Sequence, residues 1–169
     1  GETIIERLGG AHRFMGWPGP ILTDSGGYQA YSMADINAVD DEGVTFKSIV
    51  DGAKIVLTPE RSIEVQNKIG ADIIMAFDDC PPSVDPATGP VNQTRLRHAT
   101  RRDAARGKGY DHAQRLAVAN ERTIRWLERC VKAHARSEEQ ALFGIVQGGT
   151  DLDARAQSVE KVCNIDLLG

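Results

Sequence analysis

Apolar residues along this chain fall into short runs that end on polar or glycine residues, and the runs alternate between strand and helix spacing. Ile21-Leu22-Thr23 is a brief strand-like run closed by Asp24-Ser25-Gly26-Gly27-Tyr28, and paired glycines after polar residues mark a turn at a strand's end. Two β-branched runs, Gly43–Ser48 and Lys54–Thr58, flank Asp51-Gly52, which predicts a β-hairpin closed by a tight turn and set outside the main sheet. Thr58 then reads as an N-cap, Pro59 as the first helical residue and Gly70 as the stop, predicting a helix over 59–69. The near-continuous apolar run Ala71–Phe77 suits a buried parallel strand, closed by Asp78-Asp79-Cys80-Pro81-Pro82. From there to about Gly109 no periodicity is sustained, and a long loop or partly helical insertion is expected. Ile124, Leu127 and Val131 recur at helical spacing within a predicted helix over roughly 111–136. A strand over Ala141–Val146 follows, ended by Gln147-Gly148-Gly149. Asp151 caps a last helix whose apolar stripe reads Leu152, Ala156, Val159 and Cys163, and Asn164–Leu168 reads as the opening of one more strand.

Strand, helix, strand, helix, strand is the βαβ pattern of parallel α/β folds, and both an open flavodoxin-like sheet and a (β/α)8 barrel fit it. In either fold functional groups gather at the carboxyl ends of strands, where Asp24, Asp78 and Gln147 all fall. Each also has a plain reading. An aspartate after a strand caps helices or forms turns, a glutamine before glycines satisfies loop backbone, and Tyr28 serves equally as a core aromatic. Neither GxGxxG nor GxxxxGK[ST] occurs, so a nucleotide-cofactor loop is weakly supported. The 169 residues suit one domain, and would hold only part of a barrel, which typically takes about 250.

Composition narrows the class. With 41% hydrophobic and 26% charged residues the chain is globular rather than disordered or fibrous. No apolar run approaches the roughly 18–20 residues of a membrane-spanning helix, and GETIIERLGG has no signal-peptide zones, so no membrane partner and a cytoplasmic location are expected. Cys80, Cys130 and Cys163 form no CxxC pair, and predict reduced thiols rather than a disulfide framework or zinc knuckle. The net charge is −4, yet Arg95, Arg97, Arg101, Arg102, Arg106 and Lys108 stand against Asp103 alone, a local +5. That patch could meet phosphates; a solvated loop balancing an acidic body is its plain reading.

The strings ILTDSGGYQ (21–29), GVTFKS (43–48), LTPERSIEVQNKIGADIIMAFDDC (57–80) and FGIVQGG (143–149) resemble the bacterial tRNA-guanine transglycosylases, in order and over nearly the whole chain apart from about Pro82 to Tyr110. The resemblance implies an α/β fold, here a partial (β/α)8 TIM-type barrel with a β-hairpin excursion. Residues 1–169 would form one incomplete catalytic domain, with 82–110 a basic loop insertion. It implies exchange of guanine for the queuosine precursor preQ1 at the tRNA wobble position through a covalent tRNA intermediate. Carried over by motif, Asp24 resembles the general acid/base that also bonds the base, and Ser25, Gly26, Gly27 and Tyr28 the rest of that loop, with Tyr28 stacking on the ring. Asp78 resembles the base-reading aspartate, Cys80 a pocket residue that accompanies preQ1 rather than queuine, and Gln147 the contact to the base's carbonyl side, with Gly148 beside it. Carboxylates suit guanine's N1–H and amine, and an amide NH2 suits O6.

The family's nucleophilic aspartate and its cysteine and histidine zinc site match nothing in this chain, nor do the barrel's opening strands. The chain is therefore expected to be a fragment, inactive alone, with exposed strand edges, no cofactor on this segment, and a structural zinc beyond it. Implied partners are tRNA with a GUN anticodon and guanine or preQ1, with room for a homodimer. Two other readings are a non-catalytic partner subunit and a phosphate-binding barrel acting on a small metabolite. The second predicts a Gly-rich anion loop at a helix N-terminus, and none is evident in the sequence.

Overall fold

The computed structural model describes residues 1–27, 38–48, 50–85 and 110–167. Tyr28 and the basic run from Arg95 to Lys108 lie outside the described residues, as does most of the expected 82–110 insertion. Two helices, α1 (Glu2–Arg7) and α2 (Gly10–Met15), lead into β1 (Leu22–Thr23). Strands β2 (Ala38–Val39), β3 (Val44–Lys47) and β4 (Lys54–Leu57) come next, then α3 (Pro59–Ile69), β5 (Ile73–Met75), α4 (His112–Ala133), β6 (Ala141–Phe143) and α5 (Leu152–Cys163). No described helix is long and apolar enough to cross a membrane.

The elements form two sheets: a parallel one in the order β1-β5-β6 and an antiparallel one in the order β2-β3-β4. The class read from the pattern, mixed α/β with a hairpin outside the main sheet, is the one observed. The hairpin turn is wider than the Asp51-Gly52 reading: Ser48 N–H donates to Ala53 O at 2.8 Å and Gly52 N–H returns to Ser48 O at 2.9 Å. β3 also has a second partner, β2, with Val39 opposite Val44. β2 was unreadable because a two-residue strand shows no alternation. The helices α1 and α2 were missed for a similar reason: six residues each and no side-chain cap.

Helix signals fared better where a cap was present. Thr58 Oγ1 accepts from Arg61 N at 3.2 Å and Asp151 Oδ1 from Ala154 N at 2.9 Å, so α3 and α5 begin where their caps predict. Helix α4, expected from about 111 by its apolar spacing, starts behind Asp111, whose Oδ1 accepts from Gln114 N at 3.0 Å. The final strand expected over 164–168 is not formed among the described residues. Ile165 N–H turns back onto Val162 O at 3.2 Å, continuing the helix end instead of extending.

In the parallel sheet Thr23 lies opposite Ile74 and Ile74 opposite Leu142. This row faces the helices: Ile74 and Leu142 enter a core with Ile63 of α3, Trp126, Leu127 and Cys130 of α4 and Val162 of α5. On the opposite face Leu22 and Phe143 are about half exposed among the described residues. The run Ala71–Phe77 forms the parallel strand its apolar character predicts, with Ile74, Ala76 and Phe77 buried and Ile73 and Met75 half-buried. Phe77, just past β5, stacks on Trp126 with ring centroids 4.9 Å apart. α5 also turns differently from its expected stripe. Ser158 and Val162 face the core, whereas Leu152 is 80% exposed and Val159 and Cys163 face outward, because Ala154, Ser158 and Val162 share one face at four-residue spacing. Cys80, Cys130 and Cys163 form no disulfide.

The core assignment has a direct check. Ile74→Ala is expected to lower the unfolding free energy by about 2–5 kcal/mol, read as a lower urea midpoint at unchanged slope. Leu152→Ala should stay within about 0.5 kcal/mol. The opposite order would place the Leu152 stripe in the core.

Candidate active site

The three polar residues singled out at strand ends arrive on adjacent strands. Asp24 follows β1, Asp78 lies just beyond β5, and Gln147 just beyond β6, in a sheet ordered β1-β5-β6. Parallel strands of similar length discharge their chains on one edge, so residues distant in sequence meet there.

Around Asp24 the chain makes a compact polar turn. Ser25 N–H donates to Asp24 Oδ1 at 2.8 Å and Gly27 N–H to Ser25 Oγ at 3.3 Å, an arrangement in which short side chains replace sheet partners. The loop reaches the second acid directly. A Cβ on Gly27 would stand 3.2 Å from Asp78 O and 3.3 Å from both Asp78 Oδ1 and a Phe77 ring carbon. A glycine here lets the loop close on Asp78.

Asp78 Oδ2 accepts from Gln147 Nε2 at 2.5 Å. Gln147 is 8% exposed, and its backbone N–H donates to Ser158 Oγ at 3.0 Å, pinning the loop to α5. Gly148, at φ +113°, brings the backbone so close to α5 that a Cβ would lie 2.6 Å from Arg155 N. The amide NH2 carries two hydrogens, so Gln147 can hold Asp78 with one and present the other to a guest.

The two aspartates of the FDDC string have opposite surroundings. Asp79, 2% exposed, takes both nitrogens of Arg115 and Arg122 Nη1 on its carboxylate, while its backbone N–H donates to Thr123 Oγ1 at 3.1 Å. It is a structural anchor holding the loop to α4. Among the described residues the Asp78 carboxyl meets the Gln147 amide and no cation. Burial lifts its carboxyl to about 7, the charges of Asp24 and then Asp79 add to the rise, and a backbone hydrogen bond and the Gln147 amide oppose it. Cys80 is half-buried next to this pair. By contrast burial pushes the Cys130 thiol up to about 12, where it accepts from Phe77 N at 3.4 Å as a core group.

Sequence reasoning identified Asp24, Ser25, Gly26, Gly27, Asp78, Cys80, Gln147 and Gly148, and the structure brings Ser25, Gly27, Asp78 and Gln147 into one cluster; Tyr28 falls outside the described residues. It missed the supporting layer: Ser62 and Gln66 on α3, Arg115, Arg122 and Thr123 on α4, and Ser158 on α5. The available signal was polar residues on buried helix stripes, such as Ser62 and Gln66 flanking the buried Ile63. A separate cavity of about 720 Å³ lies between α1, α2 and the ends of α3 and α4, lined by groups such as Glu6, His12, Lys68 and Arg136. It sits at the amino end of β5, away from the acids. Among the described residues no group of three or more His, Cys, Asp or Glu could hold a metal ion.

Fold and site together define an α/β protein whose polar groups for a small guest stand at the carboxyl ends of adjacent parallel strands. A family model described as queuine tRNA-ribosyltransferase matches residues 1–114 and 107–169. The chain belongs to this family. It is 49% identical over all 169 residues to a queuine tRNA-ribosyltransferase of a Nostoc species, of which it covers 38%. Matches of 48% and 46%, again over the whole chain, are found to proteins of the same name from Synechococcus elongatus and Symbiobacterium thermophilum, of which it covers 37% and 36%. The chain thus spans a little over a third of the length of these relatives.

The raised Asp78 carboxyl has a consequence for stability. Between about pH 4 and pH 7 the folded chain keeps the Asp78 proton while the unfolded chain has released it, so this group makes folding less favourable as pH rises through that window. Asp78→Asn is expected to remove that decline and, at about pH 8, to raise the unfolding free energy by a few kcal/mol. Denaturant titrations across pH check this; identical pH dependence in both proteins would mean that Asp78 ionises as an ordinary carboxylate.

Proposed function

We propose that this chain is the base-binding part of a tRNA-guanine transglycosylase, exchanging guanine at the tRNA wobble position for preQ1. The observation that carries the reading is the meeting of Asp78 and Gln147 at the exits of neighbouring strands, with the Asp24 loop folded against Asp78. Guanine and its deaza analogue offer N1–H and an amine on one edge and O6 beside them. Asp78 and Asp24 are acceptors for the donors, and the second amide hydrogen of Gln147 is a donor for O6. Tyr28 supplies the stacking face, worth roughly 1–3 kcal/mol per base, while Ser25, Gly26, Gly27, Cys80 and Gly148 complete the pocket. Extracting a nucleotide for such chemistry requires it to leave its stack.

In this reading Asp24 is the general acid/base, and base exchange runs by double displacement at ribose C1′. The nucleophile is assigned to no residue of this chain. The structural zinc that the resemblance implies finds no ligand set among the described residues, and no step is routed through it. Residues 1–169 would be one incomplete catalytic domain of a (β/α)8 barrel. Support for a barrel over an open doubly wound sheet comes from α3, α4 and α5, which cover one face, while on the other Leu22 and Phe143 are exposed among the described residues. Partners would be tRNA with a GUN anticodon, met in part by the basic 82–110 insertion, and a second copy of the protein, in the cytoplasm.

The test is to place this chain in the matching position of the Nostoc relative and measure guanine exchange into tRNA, with guanine binding by calorimetry. Exchange is expected, and Asp78→Ala should weaken guanine binding by roughly tenfold or more, as loss of a buried charged acceptor does. The ionised carboxylate accepts the base's donors, so affinity should rise between about pH 6 and 8, and Asp78→Asn should flatten that rise. Guanine binding that is absent, or indifferent to Asp78, sinks the reading. Binding without exchange, with Asp24 intact, would favour the non-catalytic subunit.

A further inference from the structure

The pairing of β1 with β5 sets Leu22 opposite Ile73 and Thr23 opposite Ile74. The next residue of β1, Asp24, would stand opposite Met75. That place is filled by a side chain. Met75 N–H donates to Gln66 Oε1 at 3.1 Å, and Gln66 Nε2 donates to Met75 O at 2.9 Å. The same Oε1 accepts from Thr23 Oγ1 at 3.0 Å. A primary carboxamide presents a donor and an acceptor side by side as a peptide group does, so Gln66 serves as a substitute strand residue where the two strands part. One turn earlier on α3, Ser62 Oγ donates to Ser25 O at 2.7 Å, and Gln66 Nε2 also lies 3.4 Å from Ser62 Oγ. Both side chains are 2% exposed. One face of one helix therefore holds the Thr23 hydroxyl before Asp24, the Ser25 carbonyl after it and the backbone three residues before Asp78.

We propose that Gln66, with Ser62, is a positioning pair. By taking the place of Asp24 in the ladder, Gln66 turns Asp24 out of the sheet and sets the gap between the Asp24 and Asp78 carboxyl groups, and with it the width of heterocycle edge the site accepts. The inference deepens the base-binding reading above and rests on it. Neither residue is asked to touch the base. The Coulomb interaction of the two acids depends on that gap, and the charge of Asp24 is one cause of the raised Asp78 carboxyl, so the titration of Asp78 reports the spacing without any ligand.

The experiment uses the whole protein that carries this chain and follows two quantities: the Asp78 titration midpoint by carboxyl-carbon NMR, and guanine affinity by calorimetry. Gln66→Met keeps the length and removes the hydrogen bonds. It is expected to shift the midpoint by about half a pH unit or more and to weaken guanine roughly tenfold. Gln66→Glu, whose buried carboxyl stays protonated and can donate and accept like the amide, should recover to within about threefold of wild type near pH 6 and lose that recovery as the pH is raised. A residue with only a structural role would lower the melting temperature without moving the midpoint. A Gln66→Met protein that keeps both the midpoint and the affinity of wild type overturns the proposal. Should that variant not fold, Ser62→Ala, which releases only Ser25 O, decides by the same two readings. Wild-type protein that fails to bind guanine, while Gln66→Met still shifts the midpoint, sinks the base-binding reading and leaves the positioning role standing.

Discussion

The register that places Thr23, Ile74 and Leu142 in one row against the helices determines where every polar group at the carboxyl edge can stand. That row is locked by apolar packing onto Ile63, Trp126, Leu127 and Val162, and a slip of one residue would exchange its buried and exposed sides. The paired segments are only two or three residues long. A ladder this short offers few backbone bonds, so burial of the one facing row, rather than hydrogen bonding along the strands, holds the register. The carboxyl edge inherits its order from that packing.

Much of this was legible because it is written in local chemistry. Thr58 and Asp151 announce helices through their capping oxygens, and Asp24, Asp78 and Gln147 announce strand exits because polar groups end apolar runs. What was not legible depends on partners far along the chain. Nothing in the stripe Leu152, Ala156, Val159 and Cys163 shows that α5 turns Ser158 and Val162 inward; Ser158 is drawn in because it accepts from Gln147 N. The apolar run Ala71–Phe77 likewise does not tell the fully buried Ile74 from the half-buried Ile73 and Met75, because hydrophobicity records what a residue tolerates and not what covers it. The site's residues could be read singly, whereas the layer that aims them, Gln66 above all, is polar by composition and buried by context.

Asp78 and Asp79 show why adjacent acids need not share a fate. Two guanidinium groups meet the carboxylate of Asp79, and its burial is compensated by charge. Asp78 receives an amide instead, and the uncompensated burial keeps its proton within reach of neutral pH. The arrangement divides the labour: Asp79 fixes the loop to α4 through two guanidinium groups, and Asp78 is left free to change its protonation near neutral pH.

That freedom would be of little use on a scaffold that titrated with it. Beside the Asp79 carboxylate and its two arginines, the groups that hold the site's backbone are Ser62, Gln66, Thr123 and Ser158, hydroxyls and amides that carry no charge near neutral pH. Ion pairs such as Glu60 with Arg129, whose carboxyl is held down at about 2, tie helix α3 to α4 and likewise stay ionised far below neutrality. A change of pH around 7 therefore alters the hydrogen-bonding character of the Asp78 edge while its mounting remains unchanged. Neutral anchors under a titratable acid separate the position of the group from its protonation, and this lets the acid alter its affinity for a donor edge without moving the site.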